Sequence, residues 1–384
     1  MPDYGPARPT AQELMDLDTP ALLLDRDRLV RNLESMRMRM EERGVALRPH
    51  LKTAKSVEVA RLAVGEGGPI TVSTLKEAEA FAGNGFRDLL YAVGMVPAKM
   101  PRAARLLRQG IDLKLVVDTP EAADALARAA SAEGVVCGVL IEIDSGGRRA
   151  GVLPQDERLL EIGRRLAASQ GTRLAGVMTH AGHSYEARGR AELEAVAKAE
   201  SAAVTEAARR LRAAGLPCPI VSAGSTPTAV VADDLTGVTE MRPGVYMFFD
   251  LDQVGIGVCG VEDIALSVMA SVIGHNRQAG QILIDAGGLA LSKDVSAGAF
   301  MPGIGYGRVC DLDLVPLGDL TVANTHQEHG LVPVPDPGWF DRLPVGARVR
   351  VLPNHACMTA AAYDGYHVLQ GGRLSAFWPR VNGW

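Results

Sequence analysis

The residues best suited to chemistry fall into two sets that are far apart along the chain. The first opens with Lys52, which follows the apolar run Val45-Ala46-Leu47-Arg48-Pro49-His50-Leu51. A lysine at the end of a buried strand loses hydration, which lowers its pKa and makes its amine nucleophilic toward carbonyls. Pro49 stiffens the strand exit and biases Arg48 toward extended geometry, so Lys52 is aimed. The bland alternative is a snorkelling surface lysine, and Lys55 reads as a solvated charge. Lys52 is accompanied by further polar, glycine-bearing turns. These are Asp144-Ser-Gly-Gly-Arg148-Arg149-Ala-Gly151, then Thr179-His180-Ala-Gly-His183-Ser-Tyr185, then Ser222-Ala-Gly-Ser225-Thr226-Pro-Thr228, followed by Arg242-Pro-Gly244-Val245-Tyr246.

Glycines and short hydroxylated side chains let backbone N–H groups and hydroxyls approach an anion closely. Each such turn alone reads equally as an ordinary tight turn. A lysine, an anion cradle and an imidazole at separate strand ends make a more specific set. Together they point to a phosphorylated carbonyl cofactor held as a Schiff base, pyridoxal 5'-phosphate. The second set lies in Pro353-Asn-His355-Ala-Cys357. Alternate residues of an extended segment share a face, and imidazole with thiolate suits zinc. Two protein ligands leave coordination positions for water or substrate, as in catalytic zinc. The alternative is a buried histidine beside a core cysteine. In Asn324-Thr-His326-Gln-Glu328-His329-Gly330, Glu328 or His329 could orient a ligand or accept a proton, although turn polarity also explains them.

The elements that must position these residues are read from periodicity. Apolar runs at Val45–Arg48, Ile70–Ser73, Leu89–Val93, Leu113–Val117, Val136–Ile143, Leu174–Met178, Ile220–Ser222 and Val238–Met241 predict strands. Several are apolar on both faces, as parallel strands covered by helices are. Amphipathic stretches such as Ser56–Gly65, Leu75–Gly83, Pro120–Glu133 and Glu192–Ala214 predict helices between them. Eight strand–helix units predict an α/β fold, a (β/α)8 TIM barrel over residues 20–258, with a doubly wound open sheet as the alternative. The four chemical turns then fall at strand ends, where such barrels carry their sites. Beyond residue 258 the runs Ile264–Val272, Gln281–Asp285, Leu312–Val315 and Arg348–Leu352 predict a C-terminal β domain over 259–384, with 1–19 packing against it.

Composition narrows the function classes. The net charge of −5 comes without a basic block, which argues against nucleic acid or an anionic membrane as partner. No apolar stretch approaches the roughly 20 residues of a membrane span, and Met1 to Glu13 lacks a charged-then-apolar leader pattern, so the expected compartment is the cytoplasm. The five cysteines are odd in number and scattered, unlike a disulfide framework; all but Cys357 read as small core residues.

Pro49-His-Leu-Lys-Thr53, Arg149-Ala-Gly151, Thr179-His180, Gly224-Ser-Thr226, Arg242-Pro-Gly244 and Asp285-Ala-Gly287 resemble the fold-type III pyridoxal-phosphate enzymes. Gln327-Glu-His-Gly330, Pro353-Asn-His-Ala-Cys357 and the terminal Trp378-Pro-Arg-Val-Asn-Gly-Trp384 are similar to the D-serine dehydratase / D-threonine aldolase branch. That branch pairs an alanine-racemase-like barrel with a metal-bearing β domain. The resemblance implies that Lys52 carries the cofactor and exchanges the substrate α-proton, with His329 as a second catalytic group near the metal. It implies that His180 lies against the pyridine ring and that Arg149 bonds the phenolic oxygen. Ser225, Thr226, Gly244 and Val245 would hold the phosphate with Tyr246 nearby, and Arg242 would face the ring nitrogen. His355 and Cys357 would bind a divalent metal, zinc preferred over manganese or magnesium. The implied substrate is a small D-amino acid with a β-hydroxyl, and the implied assembly is a homodimer. Dehydration to a keto acid and ammonia is the expected reaction, because cysteine beside the metal histidine is more typical of the dehydratases. Retro-aldol cleavage to glycine and an aldehyde is the alternative. A racemase using Tyr363 or Tyr366 as second base, or a non-catalytic carrier of the cofactor, ranks below both.

Overall fold

The computed structural model of the chain describes residues 14–147 and 149–384. The expectations placed on residues 1–13 and on Arg148 lie outside the described residues. The chain divides into two compact units, each built around its own sheet. One holds Glu34–Gly244 with Gly383–Trp384, and the other holds the described chain up to Leu33 with Val245–Asn382. The divisions fall inside the helix Arg26–Glu42 and between Gly244 and Val245.

Strand β1 (Ala21–Asp25) belongs to the second unit. The first carries β2 (Ala46–Leu47), β3 (Ile70–Val72), β4 (Asp88–Gly94), β5 (Asp112–Val117), β6 (Cys137–Glu142), β7 (Thr172–Met178), β8 (Ile220–Ala223) and β9 (Glu240–Met241). All eight predicted strands are present, every neighbouring pair is parallel, and the order is β2-β9-β8-β7-β6-β5-β4-β3. A parallel bridge between His50, just past β2, and Thr71 of β3 joins the ends of this run. There Leu51 N–H donates to the Thr71 carbonyl at 2.8 Å and Thr71 N–H to that of Pro49 at 2.9 Å. The sheet therefore curls until its edges meet, as the barrel reading expected and an open doubly wound sheet would not.

The helices between the strands start where the sequence provides caps. The Thr74 hydroxyl accepts from Glu77 N–H at the head of Leu75–Gly83. Thr119 does the same for Ala122 ahead of Pro120–Ala132, whose first residue is a proline that needs no N–H partner. That helix turns Ala123, Leu126 and Ala130 inward. Leu90, Val116, Leu140, Ala175 and Met178 form an apolar cluster from four adjacent strands.

The second unit adds β10 (Leu266–Asn276), β11 (Gln281–Ile284), β12 (Arg308–Cys310), β13 (Pro316–Thr321), β14 (Asn324–Thr325), β15 (Gly330–Pro333), β16 (Arg348–Leu352), β17 (Gly365–Gln370) and β18 (Arg373–Pro379). Its main path runs β13-β12-β16-β10-β1-β17-β18, antiparallel except between β1 and β17, with β11, β15 and β14 continuing from β10. Two details differ from the sequence reading. The run Ala21–Asp25, placed with the barrel by its position, is hydrogen-bonded between β10 and β17 and buried on both faces. An all-apolar run carries no mark of which sheet it joins. Leu312–Val315 is a turn, not a strand: Asp311 Oδ1 accepts from Asp313 and Val315 N–H at 2.9 Å each, and Leu314 sits at φ 63°. Pairing starts only at Pro316.

None of the five cysteines is in a disulfide. Cys137, Cys218 and Cys310 are buried, and burial pushes each thiol up to about 11, as inert core residues. Among the described residues, no helix is long and apolar enough to cross a membrane.

Candidate active site

The barrel gathers the first chemical set at the exits of its strands. Lys52 sits in the turn after β2 and is solvent-exposed, whereas the sequence reading had it buried at a strand end. The chain leaves the sheet at Pro49, so the side chain stands at an open mouth instead of in the core. Lys55 is not a solvated charge: at φ 46° its ammonium lies 3.3 Å from the fully buried Glu77 carboxylate. Around Lys52 stand His50, His180, Arg149 and Arg242, all close enough to act on one another electrostatically. Burial, then the Lys52 charge, pushes His180 down to about 3, partly offset by its hydrogen bond to Gly224. Burial and the same cations hold His50 well below the usual histidine value. Both imidazoles are therefore neutral at pH 7. Nδ1 of His180 lies 3.1 Å from the Gly224 carbonyl, so it carries the hydrogen and Nε2 is bare.

Arg149 Nε lies 3.5 Å from where a Cβ on Gly182 would stand, which packs its guanidinium over the turn that carries His180. The buried Arg242 donates to Ser222 Oγ and to the Thr179 carbonyl. The Glu142 and Glu200 carboxyls are held above their usual range, chiefly by burial. Lys52, Arg149 and Arg242 thus present basic side chains beside two neutral histidines, a setting that suits an anionic cofactor.

The turn after β8 is built for close approach. Gly224 adopts φ 111°, and Ser225 caps the helix Thr226–Val231 in a capping box with Thr228. Ser225 Oγ lies 2.9 Å from Ser184 Oγ, tying this turn to the one after β7. A Cβ on Gly244 would fall 3.0 Å from the His50 carbonyl and 3.1 Å from Thr53 Oγ1, so only glycine lets the β9 exit run this close to the lysine turn. These residues fit a phosphorylated pyridoxal: cationic walls, a neutral imidazole, and a cradle where side chains would obstruct. Val245 and Tyr246, the last of the predicted cofactor residues, fall in the second unit and are buried there.

The predicted metal-ligating pair, His355 and Cys357, lies in the second unit. His355 is the residue before the short helix Ala356–Ala360, and Cys357 is in that helix. The expected extended geometry is thus absent. The chain turns into a helix after His355, yet the imidazole and thiol are hydrogen-bonded to each other. Nδ1 of His355 lies 2.6 Å from Asp294 Oδ2. Burial opposes a charge on His355, but the bonds to Asp294 and then Cys357 outweigh it and raise its pKa, while Asp294 is held well below the usual carboxylate range, mainly by His355. With Nδ1 committed to Asp294, Nε2 is the nitrogen left for a metal, the arrangement in which a carboxylate orients a ligating histidine. Asp250, buried and raised to about 7 by that burial, accepts from Ala356 N–H at 2.8 Å and so fixes the backbone between the two ligands. Among the described residues, no group of three or more His, Cys, Asp or Glu is placed to hold a metal.

His329 is exposed on the loop before β15, where its ring and those of His275 and His326 line a surface groove. The backbone of Gln327–His329 presses on Gly287, whose Cβ would fall 2.4 Å from the Gln327 carbonyl. The Asp285-Ala-Gly287 motif thus seats this loop. Tyr363 and Tyr366, weighed as racemase bases, are committed elsewhere: the Tyr363 hydroxyl donates to the Ala290 carbonyl at 3.0 Å, and that of the buried Tyr366 accepts from Arg380. Sequence reasoning missed Asp294, Asp250, Glu200, Glu240 and Asp88. None stands within a motif that marks it, and each is brought to its partner by the fold.

The fold and these clusters define a class, and comparison with known proteins agrees. The chain belongs to the family whose barrel is described as alanine racemase, N-terminal domain, matched over residues 24–252. Residues 265–369 match a putative serine dehydratase domain. Within that family the chain is 49% identical to the D-threo-3-hydroxyaspartate dehydratase of Delftia sp., covering 97% of this chain and 99% of that one. It is 30% identical to the D-serine dehydratase of Dictyostelium discoideum over 93% and 94% of the two chains. It is also 31% identical to the 3-hydroxy-D-aspartate aldolase of Paracoccus denitrificans over 97% and 94%. The solved structure of the Delftia dehydratase superposes with a TM-score of 0.94, over 97% of this chain and all of that one. Variants of that enzyme with a histidine or a cysteine replaced by alanine match equally well, and the cysteine variant is described as a metal-free form.

Proposed function

We propose that this protein dehydrates D-3-hydroxy-amino acids, D-threo-3-hydroxyaspartate foremost, to a keto acid and ammonia, with pyridoxal phosphate and zinc as cofactors. The observation that carries the reading is the hydrogen-bonded His355–Cys357 pair backed by Asp294, a site with a sulfur donor in a chain whose barrel suits the phosphorylated cofactor. When bound, pyridoxal phosphate weakens bonds at a substrate α-carbon, and a divalent ion acting as a Lewis acid makes a β-hydroxyl a better leaving group. The chain supplies the rest. Lys52 would hold the cofactor covalently and exchange the substrate α-proton. His180 would lie against the cofactor ring. Arg149 would hold the phenolic oxygen, and Arg242 would face the ring nitrogen as a cation that does not deprotonate. Ser225, Thr226 and Gly244 would hold the phosphate, and Val245 and Tyr246 are assigned to it by the family resemblance. His355 and Cys357 hold the ion, and His329 serves as an acid–base group for the hydroxyl. We also assign a cytoplasmic homodimer; a monomer by light scattering at micromolar concentration would refute that part.

A second reading, retro-aldol cleavage, draws on the 31% identity to an aldolase acting on 3-hydroxy-D-aspartate. One experiment separates the two. Protein loaded with pyridoxal phosphate and zinc is offered D-threo-3-hydroxyaspartate, D-serine and D-threonine, with and without chelator. A keto acid with ammonia, abolished by chelation, is the expected result. Glycine with an aldehyde would overturn dehydration in favour of cleavage.

A further inference from the structure

Part of the barrel interior is ionic. Arg242 donates to Ser222 Oγ. The Ser222 hydroxyl donates to Glu240 Oε1 at 2.6 Å, and the other oxygen of Glu240 accepts from Arg48 Nε at 2.7 Å. Arg48 then grips both oxygens of Asp88, at 2.7 and 2.9 Å. Lys114 continues from Asp88 at 2.6 Å to Asp112 at 2.7 Å, where the network reaches solvent. The members come from or next to β2, β4, β5, β8 and β9. Ser222, Glu240, Arg48 and Arg242 are all under 9% exposed.

Direction is fixed at every link. Arginine only donates, so the serine must accept from Arg242 and give its own hydrogen to Glu240. Glu240 has one oxygen for each neighbour, and only a carboxylate can accept on both sides. The link from Glu240 through Ser222 therefore sets where the Arg242 guanidinium points.

We propose that Glu240 is a positioning residue for the cofactor ring: acting through Ser222, it holds Arg242 in the one orientation that presents the guanidinium to the ring edge. This rests on the cofactor reading above. A glutamine at this position can keep its oxygen on Arg48 only by turning its NH2 to Ser222, which reverses that link and leaves the serine hydrogen without its carboxylate acceptor. Removing the Ser222 hydroxyl breaks the link outright and leaves the Thr179 carbonyl as the remaining anchor of Arg242.

The test uses the full chain loaded with pyridoxal phosphate, as Ser222→Ala, Glu240→Gln and Asp88→Asn. Ser222→Ala and Glu240→Gln are expected to shift the absorbance maximum of the bound cofactor. They are also expected to lower kcat roughly ten-fold with KM little changed, the size of a lost charge-assisted hydrogen bond. Asp88→Asn, at the far end, is expected to lower the melting temperature while leaving the spectrum in place. A Ser222→Ala spectrum and kcat like those of the unmodified protein would overturn the proposal. So would changes in melting temperature alone. Should Glu240→Gln fail to fold, Ser222→Ala decides. An unmodified protein that takes up no cofactor would overturn the cofactor reading itself, and that control separates the two failures.

Discussion

Asp294 offers the sharpest test of the metal site. One oxygen lies 2.6 Å from His355 Nδ1, and the other accepts from Ser296 N–H at 2.9 Å. Both sides of the carboxylate are therefore occupied by donors. Replacement by asparagine leaves one oxygen and one NH2 for two donors. If the oxygen stays with Ser296, the NH2 faces His355 and Nδ1 must become the acceptor. The ring hydrogen then moves to Nε2, the nitrogen needed by the ion. Substitutions that disturb such an orienting carboxylate cost about 10–100-fold in metal affinity, about 1.4–2.7 kcal/mol. Because the tautomer is inverted instead of merely released, Asp294→Asn is expected near the upper end. Asp294→Ala, which lets the ring choose its tautomer, is expected near the lower end. The assay is competition for zinc between the full chain and a chromophoric chelator at pH 7. Unchanged affinity in Asp294→Asn, or an alanine variant that binds more weakly than the asparagine one, would refute the tautomer argument.

Four further outcomes follow from the same geometry. Lys52→Ala is expected to lose the borohydride-reducible link to pyridoxal phosphate, read by mass, while keeping the melting temperature of the cofactor-free protein. Leu23→Ala empties a fully buried position beside Leu14, Ala21, Met269 and Leu369, and is expected to cost about 2–5 kcal/mol in urea unfolding of the second unit. Gly176→Ala is expected to destabilise the barrel severely, because φ is 149° and a Cβ would fall 2.0 Å from the Ile220 carbonyl, leaving little soluble protein on expression. In the cofactor-free protein, stability should fall as pH drops below about 6.5. His180 titrates near 3 when folded, so below the unfolded value the unfolded chain binds the extra proton. The slope is at most about 1.4 kcal/mol per pH unit for this one partly exposed histidine. A melting temperature that is flat from pH 7 to pH 5 would contradict it.

Sequence and structure each decided different things about this chain. Local signals were sufficient for the barrel. Eight apolar runs, several of them apolar on both faces, separated by amphipathic stretches specify parallel strands and covering helices, because period and capping act within a few residues. The chemical turns around Lys52, Arg149, His180, Gly224–Thr226 and Gly244 were legible only as a set, since each alone reads equally as an ordinary turn. The extended geometry expected for His355 and Cys357 was not found: a short helix begins after His355, and that turn brings the imidazole and the thiol together. Tertiary structure alone settled where Ala21–Asp25 pairs, because four apolar residues satisfy either sheet. It alone placed Asp294 against His355, 61 residues away in sequence, and ran Ser222, Glu240, Arg48 and Asp88 in line beneath Arg242. Such partners leave no local trace: a buried carboxylate is chosen by the donor the fold sets opposite it, and that donor can come from anywhere along the chain.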